Sequence, residues 1–287
     1  MNIQKGFEKI YANGLKNFPN MEIDYWGVNI YSDKKFECKL YENNTNVESD
    51  SIGFIDKIRS CGVISRISYI ENSAHTNTFR VDISLKNRTE HNMISLYDTL
   101  KSETALIENN MDEILKLSLM KVSKQPELKY ASMYFVGFLY RNAVKAVKFH
   151  FITRNIDKNI FDNEYYLDYL SNVNIKEIEI CRKYIQSYLE RSGGNMWMTG
   201  VDYFDSAKTK YKVFIKDVSL EVLKYINEDI DLLKKVSNDS KERMHHEIEM
   251  FRRYLSINNN IHFSGIAVCC DSDENISFNF YCQGMIG

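Results

Sequence analysis

The chain has 287 residues, of which 44% are hydrophobic and 26% charged, and this composition is typical of a globular protein with a sizeable core. Its 37 basic and 39 acidic side chains give a formal net charge of -2, so no overall basic field attracts nucleic acid or anionic lipid. The chain has no apolar run of about 18 residues and a near-neutral charge, so we expect it to bind neither membrane nor nucleic acid. Its six cysteines lack disulfide or zinc spacing, which predicts reduced thiols in a cytoplasmic protein. The sequence has no Gly/Ser-rich linker, so we expect one domain over residues 1–287, and we expect a monomer.

In chain order, a short amphipathic helix at residues 1–18 precedes five predicted β-hairpins. Each hairpin has a glycine near its start, a short apolar strand, a polar turn and a second strand of alternating character. The hairpins cover residues 26–42, 61–87, 136–155, 200–217 and 264–284. The segments between them have helical periodicity. These segments are residues 43–60, 91–122, 174–194 and 218–256, the last with a break near residues 237–240.

The second strand of each hairpin repeats a pair of residues two positions apart. The pairs are Lys39 with Tyr41, Arg80 with Asp82, Lys148 with His150, Lys212 with Phe214, and Asn279 with Tyr281. Both members of a pair point to one face of the sheet, and the apolar residue between them points to the other. Lys210 shares the face of Lys212. Each hairpin therefore has one face that requires an apolar cover.

Hairpins joined by helices can close into a ten-stranded antiparallel β-barrel surrounded by α-helices, an α+β fold built from repeated ββα(α) units. Ten strands leave a lumen, and lysines that face it require an anion. The alternative is an open sheet with a solvated polar face, as in a helix-rich interaction protein.

These repeats resemble the aromatic prenyltransferases of the ABBA, or PT-barrel, family over nearly the whole chain. Residues 198–217, "MTGVDYFDSAKTKYKVFIKD", are similar to one hairpin of that family, and residues 75–85, "HTNTFRVDISL", are similar to its bacterial small-molecule branch. The end of the chain, just after its last strand, is similar to the cyanobactin branch. The resemblance implies transfer of a dimethylallyl or geranyl group from its diphosphate to an electron-rich aromatic acceptor, either a small molecule or a peptide.

The resemblance also implies roles for individual residues. The diphosphate ligands would be Lys39, Arg80, Lys148, Lys210, Lys212 and Asn279. The rings that shield the allylic cation and line the acceptor pocket would be Tyr41, His150, Phe214 and Tyr281. Asp82 would assist Mg²⁺ binding, although a requirement for metal is not implied because the aspartate-rich DDxxD signature is missing.

The residues themselves support this chemistry and leave alternatives open. Cations stabilise a diphosphate leaving group and aromatic faces stabilise a carbocation. Glu37 shares the face of Lys39, so it is a candidate acceptor for the proton that the aromatic ring loses, or else a salt-bridge partner of Lys39. Arg80 and Asp82 can equally form an internal ion pair. The alternative function is a non-catalytic barrel that binds phosphate or nucleic acid, with its rings stacked on bases.

Overall fold

The structure is a computed structural model that describes residues 5–10, 12, 25–42, 63–72, 75–84, 89–103, 132–140, 144–152, 175–204 and 208–284. Its strands are β1 (Tyr25–Tyr31), β2 (Glu37–Glu42), β3 (Val63–Asn72), β4 (His75–Ser84), β5 (Ser132–Tyr140), β6 (Val144–Ile152), β7 (Asn195–Phe204), β8 (Thr209–Lys216), β9 (His262–Asp271) and β10 (Ile276–Gln283). Its helices are α1 (Glu90–Glu103), α2 (Ile175–Ser192), α3 (Val222–Asp231) and α4 (Asn238–Ile257). Residues 5–10 are also helical.

The described strands form one antiparallel sheet that closes on itself. Strands that follow each other in sequence pair with each other, and β1 also pairs with β10. Because every strand then has a partner on both sides, the sheet has no free edge to recruit another chain. All even-numbered strands run in one direction, from the hairpin turns towards the connections between hairpins.

Helices cover the outer face of the sheet through apolar side chains. Helix α2 lies over β8 and β9, where Cys181 and Ile185 are fully buried and the Cys181 thiol lies 3.6 Å from the carbonyl oxygen of Val268. Helix α4 contacts β1 and α3. Phe251 of α4 stacks on Phe280 of β10, with ring centroids 5.1 Å apart. The main core therefore lies between the helices and the outer face of the barrel.

The structure confirms the predicted antiparallel barrel with helices outside it. The helix predicted at residues 174–194 is α2, and Gly193 follows its last residue with a φ of 70°, a conformation that favours glycine. The break predicted near residues 237–240 separates α3 from α4, and Ser237 caps α4 by accepting a hydrogen bond from the backbone N–H of Ser240. The predicted helix at residues 43–60 and the second half of 91–122 lie outside the described residues.

None of the helices that the structure describes has the length and apolar character needed to cross a bilayer.

We expect Phe251→Ala to lower the free energy of unfolding by about 3–5 kcal/mol, because it removes a buried ring and leaves a cavity between α4 and the barrel. The side chain is fully buried against Trp26, Phe263 and Phe280. Ile257→Ala at the end of α4, where the side chain is 78% exposed, should change the free energy of unfolding by less than about 0.5 kcal/mol. Urea unfolding of the wild type and both variants measures these free energies. Equal, small losses would contradict the packing of α4 on the barrel.

Candidate active site in the barrel lumen

The lumen is lined by alternate residues of the paired strands. On β8 these are Lys210, Lys212 and Phe214, and the residues between them are buried in the main core under the helices. Residues paired across neighbouring strands point to the same face of the sheet. Lys212 pairs with Gly200 of β7 and with Cys269 of β9, so these two positions also face the lumen. The lysines of the repeated pairs therefore face the inside of the barrel.

The glycine shared by the hairpins leaves room for these side chains. Gly27, Gly137 and Gly200 occupy lumen-facing positions of β1, β5 and β7. Their partners in the sheet are Lys39, Lys148 and Lys212 in that order. A glycine opposite each long side chain adds no bulk beside it. At Gly27 the steric reason extends to the neighbouring strand, because a Cβ there would lie 2.5 Å from the carbonyl oxygen of Phe280 in β10.

A buried ion-pair network lies at the centre of the described lumen. Both carboxylate oxygens of Asp202 lie against ammonium groups: one accepts a hydrogen bond from Lys148 Nζ at 2.8 Å, and the other lies 2.5 Å from Lys212 Nζ in an ion pair without hydrogen-bond geometry. All three residues are at most 7% exposed. Burial acts to raise the pKa of Asp202, but the ammonium groups of Lys148 and Lys212 outweigh it and hold the pKa far below its ordinary value. Asp202 is therefore ionised at neutral pH.

Lys39 and Lys210 complete a group of ammonium ions that we call the lysine cluster: Lys39, Lys148, Lys210 and Lys212. Burial lowers the pKa of Lys39 well below its ordinary value, and the charges of the other three lysines add to this effect against the opposing carboxylate of Glu37. The pKa of Lys210 is raised, because the effect of burial is outweighed by Cys269, Asp202 and other nearby acids. The repulsion that the other three lysines exert on Lys39 makes this part of the lumen a candidate anion site.

Glu37 lies on the lumen side of β2 in a network with two neighbours. Its carboxylate accepts hydrogen bonds from the Tyr31 hydroxyl at 2.5 Å and from Lys34 Nζ at 2.9 Å. Asn29 Nδ2 in turn donates to the Tyr31 hydroxyl at 3.0 Å. Burial acts to raise the pKa of Glu37, but Lys39 and Lys34 outweigh it, so the pKa is lowered. Glu37 is thus held as a carboxylate beside the lysine cluster.

Five rings form a continuous group that we call the aromatic belt: Tyr25, Tyr41, His150, Phe214 and Tyr281. Tyr281 is central to it, with centroids 5.9 Å from Tyr25, 6.1 Å from Tyr41 and 5.8 Å from Phe214. His150 extends the belt at 5.9 Å from Phe214. The belt curves across strands β1, β2, β10, β8 and β6.

The lysine cluster and the aromatic belt occupy different levels of the lumen. Each even-numbered strand runs away from the hairpin turns, so the second residue of a pair lies farther from the turns than the first, by about 7 Å. The lysines consequently lie towards the turns and the rings towards the opposite end. At the turn end, Tyr31, Lys210 and Ser277 contribute to the lining of a cavity of about 200 Å³.

Asn279 is the first member of its pair and lies opposite Asn29 of β1 in the sheet. Its Nδ2 is 3.4 Å from the Tyr281 hydroxyl, a long hydrogen bond. Three buried oxygens in this part of the lumen, Asn29 Oδ1, Asn279 Oδ1 and Ser277 Oγ, have no hydrogen-bond partner among the described residues. Buried polar atoms of this kind mark a place where a polar ligand or water can bind.

The structure brings together most of the site residues predicted from sequence. Lys39, Lys148, Lys210 and Lys212 form one cluster, and Tyr41, His150, Phe214 and Tyr281 form one belt. Arg80 pairs in the sheet with Ser68 and Asp82 pairs with Gly137, but the side chains of Arg80 and Asp82 lie outside the described residues. The predicted roles of these residues remain predictions.

Three lumen residues were missed by reasoning from sequence: Asp202, Tyr25 and Tyr31. The signal for Asp202 was present in the hairpin, since Asp202 lies opposite Lys210 in the paired strands β7 and β8. Tyr25 and Tyr31 lie on β1, the first strand of their hairpin, whereas the repeated pairs lie on second strands.

Solved structures of aromatic prenyltransferases are similar to this chain. AnaPT from Neosartorya fischeri matches with a TM-score of 0.62 at 10% identity, covering 92% of this chain and 79% of AnaPT. The 6-dimethylallyltryptophan synthase from Micromonospora olivasterospora, in complex with DMASPP and Trp, matches with a TM-score of 0.57 at 8% identity, covering 99% and 97%. NotF, in complex with brevianamide F and DMSPP, matches with a TM-score of 0.53 at 8% identity, covering 100% and 96%.

No protein-family model matches the chain, and no curated protein matches it in sequence. The likeness is therefore one of fold. The chain has the PT-barrel fold of the aromatic prenyltransferases, which confirms the fold implied by the repeated hairpins.

We expect Asp202→Asn to lower the free energy of unfolding by about 3–5 kcal/mol at neutral pH, because it leaves buried ammonium groups without their carboxylate. The pKa of Asp202 is lower in the folded than in the unfolded protein, so the stabilisation is full above the unfolded pKa of about 4 and is lost as the pH falls further. Urea unfolding should therefore show a constant difference between wild type and variant down to about pH 5, narrowing below about pH 4.

Asp217→Asn is the matched control, since this carboxylate is 60% exposed and lies 3.8 Å from Lys216. It should have little effect on stability at any pH. A difference between wild type and Asp202→Asn that does not change with pH would contradict the ion-pair network.

Proposed function

We propose that the protein is an aromatic prenyltransferase that moves a dimethylallyl or geranyl group from its diphosphate to an electron-rich aromatic acceptor. The observation that carries this proposal is the enclosed lysine cluster placed one level from a belt of aromatic rings. Of the proteins with the same fold, one is a 6-dimethylallyltryptophan synthase in complex with DMASPP and Trp, and NotF is in complex with brevianamide F and DMSPP. Both combine a prenyl donor analogue with an aromatic acceptor, which supports the same reaction class here.

The lysine cluster would bind the diphosphate and promote its departure. When the bond between the allylic carbon and its oxygen breaks, the electron pair stays on the oxygen, and negative charge grows on the diphosphate. An ammonium group about 4 Å away stabilises this charge by roughly 4 kcal/mol at an effective dielectric constant near 20. Lys39, Lys148, Lys210 and Lys212 are the proposed ligands, together with Arg80 and Asn279.

The aromatic belt would hold the allylic cation formed in this step. Each ring face can contribute on the order of 2 kcal/mol when water is excluded. The belt also shields the cation from water, which would otherwise trap it as an alcohol. The acceptor ring then attacks the cation through a carbon or heteroatom, a new bond forms to the allylic carbon, and the acceptor loses one proton.

Glu37 is the proposed acceptor of that proton. It lies on the turn side of the lumen, four residues from Tyr41 along β2, a distance of about 13 Å at the usual rise of a strand. Direct transfer requires hydrogen-bond contact, so water would have to relay the proton across this distance to Glu37. Its lowered pKa keeps Glu37 ionised and thus able to take a proton.

We also propose that this function resides in a complete ten-stranded PT barrel of repeated ββα(α) units that forms one monomeric domain over residues 1–287. The bacterial small-molecule or cyanobactin-like branch remains a prediction. A cytoplasmic location is supported by the five described cysteines, which are all buried free thiols.

We expect the wild-type protein, incubated with dimethylallyl or geranyl diphosphate and a panel of phenols, indoles and aromatic peptides, to form a prenylated product. Lys212→Gln should lower kcat/KM by about a hundredfold or more, equivalent to roughly 3 kcal/mol of transition-state stabilisation. Product formation is measured by mass spectrometry.

Lys216→Gln is the matched control, because Lys216 lies on the same strand but its side chain is 49% exposed. It should keep nearly full activity. Binding of pyrophosphate without turnover of any donor, or steeply salt-dependent binding of single-stranded nucleic acid, would instead favour the non-catalytic barrel.

Mg²⁺ is proposed only as an accessory to the lysine cluster, with Asp82 as its ligand. The other lumen carboxylates do not fit a magnesium site, because Asp202 and Glu37 already contact ammonium groups. Among the described residues no group of three His, Cys, Asp or Glu side chains could hold a metal ion.

We expect treatment with EDTA to leave most of the transferase activity, because the lysine cluster itself balances the charge of the diphosphate. The initial rate is measured with EDTA and again after Mg²⁺ is restored. Loss of activity that only Mg²⁺ restores would show that the metal is essential, and Asp82→Asn would then be expected to abolish the rescue.

A further inference from the structure

We propose that Asp202 is the resident counter-anion of the diphosphate site. Its carboxylate pairs with Lys148 and Lys212 until the diphosphate of the donor replaces it as their partner. The inference rests on the proposed function and assigns Asp202 a role in setting donor affinity. In these terms Asp202 is a positioning residue, since it acts through the two lysines and not on the reacting atoms.

The position of Asp202 in the sheet makes it the centre of the lysine cluster. In register it pairs with Lys148 of β6 on one side and with Lys210 of β8 on the other. Its two oxygens contact ammonium groups from two different strands, at 2.8 Å and 2.5 Å. Asp202 is 1% exposed, so bulk water cannot take its place as the partner of these cations.

The lysine cluster is thereby divided into two pairs. Lys148 and Lys212 share one carboxylate, whereas the structure records no ion pair with a described carboxylate for Lys39 or Lys210. The ammonium of Lys210 lies 5.1 Å from the centroid of the Tyr31 ring. Lys39 and Lys210 can therefore attract the donor, while Asp202 weakens the attraction that the other pair exerts.

A diphosphate in the lumen would compete with Asp202 for the same two ammonium groups. Each ammonium has three N–H donors, so it can turn from the carboxylate to a phosphate oxygen or bridge the two. Repulsion between the carboxylate and the diphosphate keeps the affinity moderate. This suits turnover, because the pyrophosphate formed in each cycle must leave the same cations. Protonation does not relieve the repulsion, since the pKa of Asp202 lies far below neutrality.

Isothermal titration calorimetry with inorganic pyrophosphate tests the proposal on the full-length chain. We expect Asp202→Asn to bind pyrophosphate at least about tenfold more tightly than wild type, because a like charge at contact distance costs more than that factor even at an effective dielectric constant near 20. The exposed control Asp217→Asn should bind within about twofold of wild type. A variant that merely damages the fold would bind more weakly.

Steady-state kinetics supply a second readout. In Asp202→Asn the KM for the prenyl diphosphate should fall while kcat does not rise, because donor and product pyrophosphate are both held more tightly. Unchanged or weaker pyrophosphate binding by folded Asp202→Asn, in a protein whose wild type binds pyrophosphate and turns over the donor, would overturn this inference and leave the proposed function intact. A wild type that neither binds pyrophosphate nor transfers a prenyl group would overturn both.

The double variant Lys148→Gln with Asp202→Asn keeps the proposal testable if the single variant does not fold. It removes one charge of each sign, so the lumen keeps its net charge. It should bind pyrophosphate about tenfold or more tightly than Lys148→Gln alone, in which Asp202 still neutralises Lys212. Equal affinities of these two variants would overturn the role assigned to Asp202.

Discussion

The structure depends on the electrostatic balance inside its barrel. Buried ammonium groups are costly unless an anion accompanies them, and the described lumen holds two buried ones, Lys148 and Lys212, beside the half-buried Lys39 and Lys210. Asp202 and Glu37 supply part of the compensating charge. The remaining positive charge is available to a ligand, so the site suits an anion.

The separation of cations from rings follows from a simple property of antiparallel sheets. Every second strand of a hairpin runs in the same direction, so a pair such as Lys148 and His150 places the cation at one level and the ring at the next. Repetition of the pair around the barrel turns short sequence motifs into a cluster and a belt. A diphosphate ester has the same two-part character, a charged head joined to an apolar chain, and the lumen is complementary to it.

Particular residues show what could be predicted. Alternation along β8 placed Lys212 and Phe214 on one face, and the helical period of residues 174–194 placed Cys181 and Ile185 under the barrel wall, as the structure confirms. Asp202 was missed because its significance depends on strands β6 and β8 at once. Lys148 is 54 residues from Asp202 in the chain, and a contact between residues so far apart cannot be predicted from a local sequence pattern.

The sequence by itself determined which residues share a face, where α2 begins and ends, and that five hairpins repeat, because these properties depend on neighbours within a few positions. Only the tertiary structure decided that the polar faces meet around a common space, that Asp202 neutralises two lysines from other strands, and that Tyr25 and Tyr31 join the lumen. Register between strands sets these contacts, and register is a property of the whole closed sheet.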